Sequence, residues 1–192
     1  KYINYAISKG LKYIGENRVQ ELLSKYDEYE LNNCELHFIG HLQSNKVRQI
    51  IDKVSLIQSV DSFKLASEIS KQAAANKLTA NILIEINIGD EDSKSGIKPS
   101  QLDDLLCQIS ELNNIKVRGL MSIPPICDEK SKICEYFYKM NKLFIDNKGK
   151  KIDNISMDFL SMGMSGDYYE AICGGSNMVR IGSALFGPRI YR

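Results

Sequence analysis

The 192-residue sequence predicts an α/β protein built on a parallel β-sheet. Three observations carry that prediction. Short apolar runs rich in β-branched residues alternate with longer amphipathic runs, giving about seven β–α units of roughly 20–30 residues each. The run from Thr79 to Ile88 is nearly continuous in Ile82, Leu83, Ile84, Ile86 and Ile88, as expected of a strand covered on both faces. No shift in composition divides the chain, so residues 1–192 read as one domain. Strand–helix alternation on this scale means right-handed crossovers. An open doubly wound sheet and a closed barrel both satisfy it. A barrel needs eight strands, and about seven units with an incomplete start fit a (β/α)8 TIM-type barrel lacking its first strand. The chain opens at Lys1 inside a helical pattern, and the expectation is an N-terminally truncated domain whose native start lies upstream.

The elements follow in order. Leu11 to Gly15 reads as a strand and Arg18 to Tyr29 as a helix. Glu35 to Ile39 is the next strand, followed by a helix around Lys46 to Ile51. Val54 to Val60 is a strand, after which Asp61 is the expected N-cap of a helix carrying Phe63, Leu65, Ala66 and Ile69. Beyond the strand of Thr79 to Ile88, Pro99 opens a helix with Leu102, Leu105, Leu106 and Ile109 on one face. Ile115 to Ile123 is a strand closed by Pro124 and Pro125, and Lys130 to Ile145 is helical. Ile155 to Leu160 is a strand, Tyr168 to Cys173 a short helix, and Met178 to Ile181 the last strand.

Composition narrows the function. A net charge of +1 gives no basic patch for nucleic acid or an anionic membrane. No apolar run approaches the ~20 residues that span a bilayer, and no signal peptide is expected. Five cysteines without a C-x-x-C pair argue against a disulfide framework and for a reducing, cytoplasmic setting. Dinucleotide, P-loop, zincin and nucleophile-elbow motifs are all missing.

Ligands of parallel α/β folds sit at the C-terminal ends of the strands, so the residues there are the candidates. Ser161 to Asp167 leads into a helix with small residues and hydroxyls. Its backbone N–H groups and Ser165 suit a phosphate dianion; the plain alternative is that Ser165 or Asp167 caps the helix. After the last strand, Gly182 permits close backbone approach, and the N–H groups of Gly182 and Ser183 can complete the same cup. Arg180, within a strand, needs a partner, either a structural salt bridge or a ligand. Asn17, His41 and Gln43 are polar groups at strand ends. His37 and His41 lack a third ligand for a metal. Met121 ends its strand as barrel core or as packing for a flat ring.

Several long strings carry a specific resemblance. They are Gly15 to Glu21, His37 to Lys46, Asn87 to Gly89 with Lys94 to Gly96, Gly119 to Met121, Ser161 to Asp167 and Met178 to Gly187. Together they resemble the pyridoxal phosphate homeostasis proteins, whose barrel is similar to the N-terminal domain of alanine racemase. The resemblance implies a barrel that holds pyridoxal 5′-phosphate (PLP) through a lysine at the end of the first strand, a few residues before Lys1. It implies that Ser165, Gly182 and Ser183 form the phosphate cup, that Arg180 faces the pyridine nitrogen, and that Asn17 and Met121 line the pocket. An arginine cannot accept the ring proton, its pKa lying above about 12, so the ring becomes a weaker electron sink than one facing a carboxylate. Racemases also need a second acid/base from another domain, and the sequence stops shortly after its last motif. The expected role is therefore a PLP carrier or buffer without catalytic turnover, with PLP-dependent apoenzymes as expected partners; the resemblance implies a monomer. The alternatives are an amino-acid racemase and an unrelated phosphate-binding barrel enzyme.

Overall fold

The computed structural model describes residues 2–91, 94–127 and 129–187. Asp92 and Ser93, between the motif strings Asn87 to Gly89 and Lys94 to Gly96, lie outside the described residues. Helix α1 (Tyr2–Ser8) precedes strand β1 (Tyr13–Glu16), helix α2 (Val19–Lys25) and strand β2 (Glu35–Phe38). Strand β3 (Leu56–Val60), helix α3 (Phe63–Ala75), strand β4 (Ala80–Ile86), helix α4 (Leu102–Ser110) and strand β5 (Ile115–Ser122) continue the alternation. It ends with α5 (Lys130–Lys148), β6 (Ile155–Met164), α6 (Tyr168–Cys173), β7 (Met178–Arg180) and α7 (Ser183–Phe186).

The seven strands form one parallel sheet in sequence order, β1 through β7. Side-chain contacts across its inner face show that it curls. Flat, β3 and β7 would stand ~19 Å apart, four steps of ~4.8 Å. Instead Gln58 of β3 reaches Met178 of β7, with Nε2 3.2 Å from Sδ. Arg180 of β7 likewise reaches the carbonyl of Ser122 on β5 at 2.9 Å. The sheet is thus a nearly closed (β/α) barrel, with β1 and β7 as its edges among the described residues.

The outward strand residues Leu36, Phe38, Ile57, Ile82, Ile84, Val117, Leu120 and Leu160 belong to one apolar cluster with the helix faces of Leu65, Ala66, Ile69, Leu102, Leu106, Ile109, Phe137 and Met140. A second, smaller cluster, Leu56, Leu83 and Met121 with Ile123 and Phe159, fills part of the barrel interior. This two-sided burial accounts for the near-continuous apolar strand at β4.

Three expectations need correction. The helix expected around Lys46 to Ile51 is a 3-10 helix over residues 44–49, about two turns long at three residues per turn. Ser62, not Asp61, caps α3: the hydroxyl of Ser62 accepts the N–H of Leu65 while Asp61 accepts from the hydroxyl of Ser62. The strand expected to end at Leu160 runs on to Met164. Gly163 sits there at φ +92°, and its register with β7 shifts between Ser161 and Met164. A run of small residues that resembles a loop is therefore an irregular strand.

Gly119 is the tightest point of β5. Its φ is +145°, and an added Cβ would collide with the Phe159 carbonyl of β6. Gly119→Ala is expected to lower stability by about 2–4 kcal/mol through strain and overpacking. Gly149→Ala, at the open C-terminal end of α5 with φ −77°, should stay within about 0.5 kcal/mol of wild type. Urea unfolding of both variants checks the pair.

Candidate functional site

The C-terminal ends of β6 and β7 are joined by one side chain. The Ser165 hydroxyl accepts the backbone N–H of Gly182 at 3.1 Å and that of Ala184 at 3.2 Å. The turn that carries it is closed by Asp167, whose carboxylate accepts the N–H of Met164 at 2.6 Å. Neither Ser165 nor Asp167 makes a side-chain cap on α6, so the plain capping alternative is set aside. Among the described residues, the N–H groups of Ser165, Gly166 and Ser183 have no acceptor. An added Cβ at Gly182 or Gly166 would meet no atom within 4 Å. The two loops therefore enclose open space edged by unpaired donors, which is the chemistry an anion requires.

Beneath this cup the barrel interior is polar, and Arg180 dominates it. Its Nη1 donates to Ser161 Oγ at 2.7 Å and its Nη2 to the Ser122 carbonyl at 2.9 Å. Burial pulls its pKa down to about 10, against the opposing pull of Glu85 and Asp167, so it remains a cation at neutral pH. The Ser122 hydroxyl donates to the Ile86 carbonyl at 2.9 Å, which ties β5 to β4 beside it. Glu85 stands next to Met121 in strand register, and Met121 next to Ser161. Burial and the neighbouring Asp61 push the Glu85 carboxyl up to about 7, with Arg180 opposing.

The other expected residues fall less centrally. Asn17 lies half-buried at the end of edge strand β1, and its backbone crowds Gly40; no hydrogen bond joins it to Arg180 or Ser165. Met121 has no exposed surface and packs in the interior apolar cluster. Ser183 is exposed in the cup. His41 and Gln43 are exposed, while His37 is 2% exposed. Among the described residues no group of three His, Cys, Asp or Glu is placed to hold a metal ion. Sequence reasoning passed over Gln58, Glu85 and Ser161. The first two were detectable as lone polar interruptions in apolar strands, and Ser161 was hidden by the loop-like composition around it.

This barrel, with its arginine on the last strand and its donor-lined cup, defines a class. The family model described as alanine racemase, N-terminal domain, matches residues 2–189. An alanine racemase structure from Clostridium difficile shares the fold at TM-score 0.71 and 20% identity, covering 98% of this chain and 48% of that one. Closer likenesses fix the branch. The Aquifex aeolicus pyridoxal phosphate homeostasis protein is 45% identical over 95% of this chain and 79% of its own length. Its Escherichia coli K12 counterpart is 40% identical over 97% and 80%. The structure of PipY from Synechococcus elongatus with PLP bound matches at TM-score 0.86 and 30% identity, covering 97% of this chain and 86% of that one. The chain belongs to the pyridoxal phosphate homeostasis protein family.

Glu85 makes the stability of the site dependent on pH. Its folded pKa is raised from 4.5 to about 7. Its contribution is fully present below 4.5 and is lost as pH rises through about 7. Glu85→Gln should leave stability at pH 4.5 nearly unchanged and raise it at pH 8 by up to about 3 kcal/mol. Urea unfolding of both proteins across this range checks the sign; parallel pH profiles would contradict it.

Proposed function

We propose that the protein binds PLP and serves intracellular vitamin B6 homeostasis as a carrier or buffer. The observation that carries this reading is the pairing of the Ser165–Gly182 cup with Arg180 on the strand that leads into it. The two ends fit the two ends of the molecule. A phosphate dianion takes the free N–H groups of Ser165, Gly166 and Ser183 and the Ser165 hydroxyl, and Gly182 leaves it room. A pyridine nitrogen is an acceptor, and the guanidinium of Arg180 is a donor that keeps its protons. Asn17 and Met121 are assigned to the pocket wall on the family resemblance. The names of the relatives and the PLP-bound PipY structure point the same way.

Bound here, PLP supplies a reactive aldehyde and an electron-withdrawing ring. The resemblance puts the lysine that attaches it upstream of Lys1. Arg180 holds the ring nitrogen without donating a full proton to it, and the cup orients the phosphate. This favours retention and delivery over turnover. We place the protein in the cytoplasm as a monomer, with PLP-dependent apoenzymes as recipients. No helix among the described residues is long and apolar enough to cross a membrane.

Thermal shift with PLP, pyridoxal and inorganic phosphate tests the reading, since a ligand that binds the folded state raises Tm. PLP should raise it at concentrations where neither fragment does; an equal effect of inorganic phosphate would leave only an anion site. Ser165→Ala should weaken PLP about tenfold or more, as loss of a charge-assisted hydrogen bond. Gly182→Val should weaken it further by filling the cup while leaving the ligand-free Tm unchanged, because no atom lies near its Cβ. Unaltered affinity in both variants would remove the cup from the site.

A further inference from the structure

We propose that Gln58 is the residue that positions Arg180, acting through Ser161, and that His37 sets the orientation of the Gln58 amide. The inference rests on the reading above in one respect: it matters to a ligand only if Arg180 faces that ligand's ring.

The geometry is a chain across four strands. Arg180 Nη1 donates to Ser161 Oγ at 2.7 Å, and Ser161 Oγ donates to Gln58 Oε1 at 2.7 Å. Gln58 Nε2 donates to His37 Nδ1 at 3.0 Å, and His37 Nε2 lies 3.5 Å from Glu35 Oε2. Ser161, Gln58 and His37 are 0%, 1% and 2% exposed. Buried polar groups are costly unless each is satisfied, and these satisfy one another in a single donor direction, which strengthens every link.

The direction is forced at each step. Arg180 has no acceptor atom, so Ser161 must accept from it and send its one proton onward. Only the amide oxygen of Gln58 can take that proton. The amide NH2 then faces His37, which must present a bare Nδ1 and carry its proton on Nε2. Turning the amide over would set its oxygen against that lone pair. Burial lowers the pKa of His37, against the upward pull of Glu35, and so favours the neutral ring the chain needs. Tyr13 packs on the other side, ring centroids 5.2 Å apart. The same Gln58 nitrogen touches Met178 Sδ at 3.2 Å, on the strand that carries Arg180. Gln58 therefore grips β7 twice, once directly and once through Ser161.

The test reads Arg180 in the ligand-free protein, by nitrogen NMR of its guanidinium group. Wild type should show distinct, slowly exchanging Nη signals. Gln58→Met, similar in volume, should average them, and Ser161→Ala should do the same if the first variant does not fold. Gln58→Glu should keep them distinct, because the carboxylate still accepts from Ser161, and should raise the pKa of His37. PLP affinity should fall on the order of tenfold in Gln58→Met. Unchanged Arg180 signals in the folded variants, or wild-type affinity in Gln58→Met, would overturn the positioning role. A wild-type protein that takes up no PLP would instead overturn the functional reading, while the Arg180 signals would still decide the role of Gln58.

Discussion

One half-buried arginine, its guanidinium turned into the barrel, governs this molecule. Arg180 sits on a three-residue edge strand, where an unpaired cation in the barrel interior would cost several kcal/mol. It is stabilised because Ser161 and Ser122 present oxygens from β6 and β5 at 2.7 and 2.9 Å and because the carboxyl groups of Glu85 and Asp167 favour its charge. These partners come within reach only in a curled sheet. Curvature and site are thus one constraint: the sheet bends around a charge, and the charge needs the bend. The direct contact between Gln58 and Met178 closes the same arc from the other side.

The two ends of the site are built differently, and each suits its task. The cup is made of backbone N–H groups on short, exposed turns, held together by the Ser165 hydroxyl. Such donors carry no titratable group, so their offer to an anion does not change with pH. The interior end is made of side chains locked in strands and buried. There, placement depends on neighbours, and a single lost partner leaves a costly unsatisfied group. On the proposed reading, breadth of anion binding comes from the first end and discrimination of the ring from the second.

Much of the outer architecture was legible in the sequence. Ile82, Ile84 and Ile86 point to the helices and Leu83 to the interior, so β4 announced itself as doubly covered. The proximity of the candidate residues was legible through their motifs: Ser165 and Gly182 touch, and Arg180 ends the strand that leads to them. The interior chain was not. A lone Gln58 or Glu85 in an apolar strand does not tell which face it takes until the register is known, and the register of β3 with β4 and of β6 with β7 shifts partway along. Ser161 was hidden for a related reason. Gly163 at positive φ lets an irregular strand continue through residues whose composition resembles a turn. The N-cap of α3 slipped by one residue because Asp61 and Ser62 are both good caps, and only the backbone decides which hydroxyl or carboxylate faces Leu65.

The balance of charges also bears on holding against turnover. Acid–base chemistry at a ring requires a group that can gain and lose a proton near neutral pH. Arg180, at about 10, does not. Glu85, at about 7, does, but its charge is opposed by burial and by Asp61 and is drawn toward Arg180. A proton taken by Glu85 removes an anion that steadies the guanidinium; a proton lost returns it. On the proposed reading, the proton of Glu85 thus answers to the charge of Arg180, and the guanidinium, which stays a cation, holds the ring.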